Sequence, residues 1–241
     1  MRKAHILAFG LGCIATLSLS AQTFDFVSNL AIPDPLFSGI TDTRTISTPT
    51  TAIGDLNVRL VISGDAFAAN GDYFATLTHG SGFSVLLNRV GRRSGGSLGY
   101  PDNGFDVVLD DQAPNGDIHV YRLTLFGDHS TPLDVAYESP LSGRWAPDGR
   151  DASFSSVTDL SPRATSPLAS FNGLDPNGAW TLFIADVSAG GAGTLVGWSL
   201  EITPVPEPAE SAVVMAALIA GSSFALRRVR GSRTLPIAGN S

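Results

Sequence analysis

In Leu56-Asn57-Val58-Arg59-Leu60 apolar and polar residues alternate, and Val61-Ile62 then fills both faces. A period of two marks a half-buried strand, because successive side chains of an extended chain point to opposite faces. The signal recurs in Tyr73-Phe74-Ala75-Thr76-Leu77-Thr78 and, after the tight turn Gly80-Ser81-Gly82, in Phe83-Ser84-Val85-Leu86-Leu87. Phe105–Leu109, Ile118–Leu123, Trp180–Ile184 and Leu195–Ile202 read as further strands. Gly, Pro, Asn and Asp cluster between these runs, as turns require. No interior segment sustains a 3.6-residue period over three turns. The expected fold is all-β, a sandwich or jelly roll in which two sheets share one core.

The ends follow a different pattern. Arg2 and Lys3 precede an apolar run from Ile6 to Leu19, and Ser18, Ser20 and Ala21 are small. This is the layout of a secretory signal peptide over residues 1–20, cut after Ser20 or Ala21. The run is short for a permanent membrane helix. Cys13 lies inside it, and Gly10 stands where a lipoprotein signal needs an aliphatic residue. Residues 21–50 are rich in Thr, Ser, Pro and Asp, yet Phe24, Phe26, Leu30, Ile32, Leu36 and Phe37 suit a segment packed onto the domain. The sandwich is expected over residues 51–203. Beyond it, Thr203-Pro204-Val205-Pro206-Glu207-Pro208 excludes helix and central strand. Ala212–Leu226 is almost wholly apolar, and Arg227, Arg228, Arg230 and Arg233 follow. As a helix that run reaches roughly 23 Å, short of a hydrocarbon core of about 30 Å unless its flanks snorkel. The arginines place its end on the cytoplasmic side. Residues 204–233 thus read as an anchor, with 234–241 as a tail.

Composition narrows the chemistry. Cys13 is the only cysteine, so a chain cut after Ser20 or Ala21 has no disulfide, thiolate metal site or thiol nucleophile. Residues 21–208 hold 21 acidic and 9 basic side chains, a net charge near −12 with His neutral. That surface repels phosphate backbones and argues against nucleic-acid binding.

Two resemblances emerge from particular residues. Pro206-Glu207-Pro208, the apolar run over 212–226 and the arginine cluster at 227–233 resemble the PEP-CTERM sorting signal of Gram-negative envelope proteins. The resemblance implies that an exosortase in the inner membrane recognises the tripeptide and removes the tail, in organisms that also make exopolysaccharide. The domain resembles the P domain (P/Homo B) of proprotein convertases. The matching blocks are Ile53-Gly54-Asp55-Leu56-Asn57-Val58, residues 71–82, Phe105-Asp106-Val107-Val108-Leu109-Asp110-Asp111-Gln112-Ala113, and Pro167-Leu168-Ala169-Ser170-Phe171-Asn172-Gly173. The most specific block runs from Asn177-Gly178-Ala179-Trp180-Thr181-Leu182 through Asp186 to Gly193-Thr194-Leu195 and Trp198-Ser199-Leu200. Gln112 stands where the family usually has Glu, and the segment between Asp128 and Pro167 is longer than the family's. The resemblance implies a galactose-binding-domain-like jelly roll that packs against and stabilises a subtilisin-like protease.

A Ser-His-Asp site needs nucleophile, base, orienting acid and oxyanion hole, and the stretch before Ile53 is far too short for a subtilisin-like domain. Gly95-Gly96-Ser97-Leu98-Gly99 matches G-x-S-x-G, but Arg92-Arg93 precedes it and Tyr100-Pro101-Asp102-Asn103-Gly104 follows, so it reads as a loop rather than a strand-to-helix elbow. His79, His119 and His129 form no i, i+4 pair and read as surface or edge-strand residues. Asp110-Asp111 could offer oxygen to a structural calcium, but the ion wants six or more ligands; a turn cap leading into Gln112-Ala113 is the expectation. Asp175, Asn177 and Asp186 read as turn formers, and Trp180 and Trp198 as core, although an exposed Trp could stack on a sugar. No catalytic, cofactor or metal residue is assigned. The expected function is that of an exported non-catalytic sandwich, delivered to the cell envelope or extracellular matrix. Its expected partners are an exosortase, the membrane during transit, and exopolysaccharide or a separate serine protease. The alternatives are a proteolysis accessory and a glycan-binding module.

Overall fold

The computed structural model describes residues 20–34, 37–65, 67–96, 98–134 and 139–206. The signal run, Ser97, Glu207, Pro208, the 212–226 segment and Arg227, Arg228 and Arg230 lie outside the described residues. Among the described residues no helix is long and apolar enough to cross a membrane.

Nine strands are described: β1 (Gln22–Ile32), β2 (Ile40–Ile46), β3 (Ile53–Gly64), β4 (Tyr73–His79), β5 (Gly82–Asn88), β6 (Phe105–Leu109), β7 (Leu141–Trp145), β8 (Gly178–Asp186) and β9 (Gly193–Pro204). They form two sheets, β1-β9-β3-β6-β7 and β2-β8-β4-β5. Every pairing is antiparallel except β6 with β7. Alternation sets the core. Val58, Leu60 and Ile62 of β3, Trp180, Leu182 and Ile184 of β8, and Phe105, Val107 and Leu109 of β6 are all buried, whereas Arg59 points to solvent and pairs with Asp106 on the neighbouring strand. The all-β sandwich expected from the period of two is the observed architecture.

Four register shifts interrupt the ladders, and two of them shape the core and the β1 edge. Val61 faces Gly197 and Ile62 faces Leu195, so Val196 is the extra residue on β9. That slip is why Leu195 and Trp198, three apart, both reach the core. In β1 the shift falls between Val27 and Leu30, where Asn29 takes a φ of 51°, a region Asn tolerates better than most residues.

Residues 21–50 do more than pack onto the domain. β1 adds an edge strand to one sheet and β2 to the other. Phe24 and Phe26 lie opposite Leu200 and Trp198, and the Phe26 and Trp198 rings are 4.6 Å apart. Asp42 seals the corner between the two strands, accepting from Trp198 Nε1, Ser28 Oγ and Arg44. Thr and Asp pull this segment's apolar periodicity below what a strand normally shows, and pairing with β8 and β9 supplies the missing stabilisation.

Ile118–Leu123 is a second departure. It forms a 3₁₀ turn, Ile118–Val120, leading into a short helix, α1 (Tyr121–Phe126). The Asp117 carboxylate accepts from His119 N–H, and Gly127 in the left-handed region ends α1, donating to the Leu123 carbonyl. Helical spacing lets Ile118, Tyr121 and Arg122 all turn inward, which alternation could not do. Close approach of Gly71 and Gly99, with no room for a Cβ between them, lays the 98–104 loop on the start of β4.

Candidate functional site

The loops above the β5 and β6 ends hold two buried ionic clusters. In the first, Asp102 sits in the loop before β6. It accepts from Arg122 Nε at 2.6 Å and Nη2 at 2.6 Å, from Tyr121 Oη at 2.5 Å and from Leu133 N–H at 2.9 Å. Burial and the Asp102 charge push the Tyr121 phenol well above its ordinary pKa, so it stays a donor. Arg122 lies 5.0 Å over the Tyr100 ring, whose hydroxyl meets His129 Nδ1 at 2.6 Å.

The second cluster centres on His119, fully buried rather than at an edge. Its Nδ1 is 2.7 Å from Asp148 Oδ2 and its Nε2 is 3.0 Å from the Arg92 carbonyl. Both partners are acceptors, so both ring nitrogens donate and the ring is an imidazolium. Burial alone would lower its pKa, but the Asp148 hydrogen bond and charge outweigh it and hold it above 6.5. Arg150 bridges Asp148 and Asp117. The pair has the look of a catalytic His–Asp dyad, yet its free nitrogen is spent on a backbone carbonyl. Chemically the arrangement is a clasp between the 89–92 turn and the 146–150 segment.

At the far end of β8, burial, with the nearby Asp72 and Asp34 carboxylates, pushes Asp186 up to about 7, against the Ser188 N–H that lowers it. Its proton is kept in the folded chain to about pH 7, whereas the unfolded chain releases it near 3.8. His119 acts in the same sense: its contribution is complete below about 6.5 and is lost as pH rises through its higher folded value. Chemical-denaturation midpoints are therefore expected to fall from pH 5 to pH 8. Asp186→Asn should flatten the part below pH 7, and His119→Gln the part above 6.5, at a lower overall stability. A midpoint that rises over this range would contradict both assignments.

The other sequence-level candidates are structural. His79 stacks on Trp180 with centroids 4.1 Å apart, and its two nitrogens meet the Ala179 and Asp175 carbonyls. Asp110 Oδ1 accepts from Gln112 N–H at 2.7 Å, as a turn cap does, while its other oxygen takes Arg144 at 2.9 Å. Asp111 caps the start of the 3₁₀ turn Pro167–Phe171 through Leu168 and Ala169 N–H. Asp175 accepts from Asn177 N–H. Trp180 and Trp198 are buried. Residues 89–96 and 98–104 contain neither strand nor helix, so the elbow context around Ser97 is missing among the described residues. Pro206 follows the last strand outside any element. Among the described residues no group of three acidic or histidine side chains is placed to hold a metal ion.

Sequence reasoning missed an open cleft of about 430 Å³ beside edge strand β5. Phe83 and Val85 line one side, and residues 149–170, the long segment between Asp128 and Pro167 with its sequel, line the other. The segment is tied to the β5 edge by Asp148 N–H to the Leu86 carbonyl and Gly149 N–H to the Val85 carbonyl. The only early signal was the segment's length, which exceeds that of the family pattern.

No family model matches the chain, and no curated protein does. Among solved structures, it is similar to a chain in the complex of Aeromonas sobria serine protease and a chaperone, at 16% identity and a TM-score of 0.38, covering 78% of this chain and 27% of that one. The serine protease of Aeromonas sobria solved by itself gives 16% identity, a TM-score of 0.36 and the same coverage. The chain thus spans about a quarter of the length of those proteins.

Proposed function

We propose that this chain is an exported, non-catalytic P-domain-like β-sandwich. It is delivered through the inner membrane, held there by its C-terminal segment, and released by an exosortase to act as a binding or structural component of the envelope or extracellular matrix. The observation that supports the reading is the extent of the compact unit that holds the two sheets. It spans Ser20–Val205, beginning at the expected signal cut and ending one residue before Pro206-Glu207-Pro208. In addition, His79 and His119 spend both ring nitrogens on structural partners, which supports a role without acid–base chemistry. No catalytic residue, cofactor or resident metal belongs to this reading.

A second reading, an accessory to a separately encoded subtilisin-like protease, is favoured by the P-domain-like blocks. Ile53–Val58, Phe105–Leu109 and the 177–200 block all fall on or beside strands of the two sheets. One experiment addresses both. The chain is expressed in a Gram-negative exopolysaccharide producer with and without its exosortase, and the products are analysed by intact mass. With exosortase, a released form that starts at Ala21 or Gln22 and lacks the arginine cluster is expected. Without it, or with Glu207→Ala, a membrane-bound form should accumulate. Equal release in all three samples would overturn the sorting proposal, and stoichiometric co-purification of a subtilisin-like protease would favour the accessory reading.

A further inference from the structure

We propose that the cleft beside β5 binds an uncharged sugar residue of a polysaccharide, with Phe83 as stacking platform and Asp151 as hydroxyl acceptor. This rests on the reading of the chain as an exported binding domain and names what it binds. Phe83 is 49% exposed, yet its N–H and carbonyl are both engaged by Ser170 Oγ, at 3.3 and 2.7 Å. An apolar ring is therefore offered to solvent from a fixed backbone, and the C–H face of a pyranose covers such a ring. Asp151 lines the same cleft, is exposed, and among the described residues its carboxylate has no hydrogen-bond or ion-pair partner. An ionised carboxylate accepts from two neighbouring sugar hydroxyls. Pro162 and Pro167 form the facing wall, and the volume lies in the range of about 300–1,000 Å³ usual for small-ligand sites.

Other occupants fit less well. A peptide adding a strand needs a free sheet edge, and the β5 edge is taken by Asp148 and Gly149 N–H and by Ser170. An anionic ligand needs a free cation. Arg163, the cation on the rim, donates to the Asp148 and Pro147 carbonyls at 3.2 and 2.9 Å. The acidic net charge of the domain adds a repulsive field against uronic acids and phosphates.

The test is calorimetric titration of the full chain in mild detergent with neutral hexose oligomers (gluco-, manno- and galacto-hexaose) and with oligogalacturonate. Saturable binding of at least one neutral oligomer and none of the acidic one is expected. Phe83→Ala should weaken it about tenfold, the loss of one stacking contact, and Asp151→Asn several-fold, with thermal melts unchanged. Val27→Ala, an exposed apolar residue on the other sheet, should leave binding as it was. Absence of neutral binding, equal affinity for oligogalacturonate, or full affinity in Phe83→Ala would each overturn the proposal. These readouts do not depend on export, so their failure is separate from failure of the sorting experiment.

Discussion

Asp102→Ala is expected to cost about 3–5 kcal/mol of folding stability, the range for breaking a buried ion pair from one side. Arg122 would remain 3% exposed with Nε and Nη2 stripped of their carboxylate, and the Tyr121 hydroxyl and Leu133 N–H would lose the same acceptor. Water cannot replace these contacts without opening the packing of α1 on the sandwich. Guanidinium denaturation at pH 6 measures the loss as a lower midpoint at an unchanged slope. The double variant Asp102→Ala/Arg122→Met should recover a large part of it, because it also removes the buried guanidinium that has lost its Asp102 partner and leaves an apolar stem in its place. A single-variant loss under about 1 kcal/mol, the size seen for exposed pairs, would mean that the cluster is hydrated.

Trp180→Ala should cost a similar amount, about 3–5 kcal/mol, through lost transfer energy and the cavity left behind. The indole is fully buried between His79, stacked nearly parallel at 4.1 Å, and Phe171, at 5.2 Å. Its Nε1 donates to the Pro176 carbonyl at 2.9 Å. That bond fixes the 175–177 turn, where Asn177 accepts from Thr48 N–H at 2.6 Å and so holds the end of β2. Trp180→Phe should lose less, since the ring contact survives and only the hydrogen bond and part of the volume go. The same denaturation series reads both variants, and near-equal losses would show that the turn, not the packing, dominates.

Most strands and turns of the 53–200 region were legible because their signal is local, whereas β7 (Leu141–Trp145), with only Leu141 and Trp145 buried, carried too little alternation to be read as a strand, and Ile118–Leu123 was read as one. The alternation in Leu56–Leu60, the Gly80-Ser81 turn and the buried Trp180 and Trp198 all follow from extended backbone geometry. The Asp110 turn cap was legible for the same reason, as its acceptor and donor are two residues apart. His119 was misread as an edge residue because alternation over 118–123 says nothing of Asp148, 29 positions downstream, whose carboxylate repays the ring's burial. Residues 21–50 were read as packing onto the domain because their own pattern is weak. Their place in both sheets comes from partners at 178–204. The cleft at Phe83 was invisible for a related reason: its two walls belong to segments more than sixty residues apart that meet only along the β5 edge.

An all-β core, an acidic balance of charge and a single cysteine placed in the N-terminal run were already written in the sequence. Those are properties of composition and of a two-residue period, and neither needs a distant partner. Which charges are buried, which strands close the sheets, and where an aromatic ring faces solvent emerge only once the chain is folded. Each of these depends on pairing across long stretches of chain, where burial makes an unpaired group costly and so selects one partner among many.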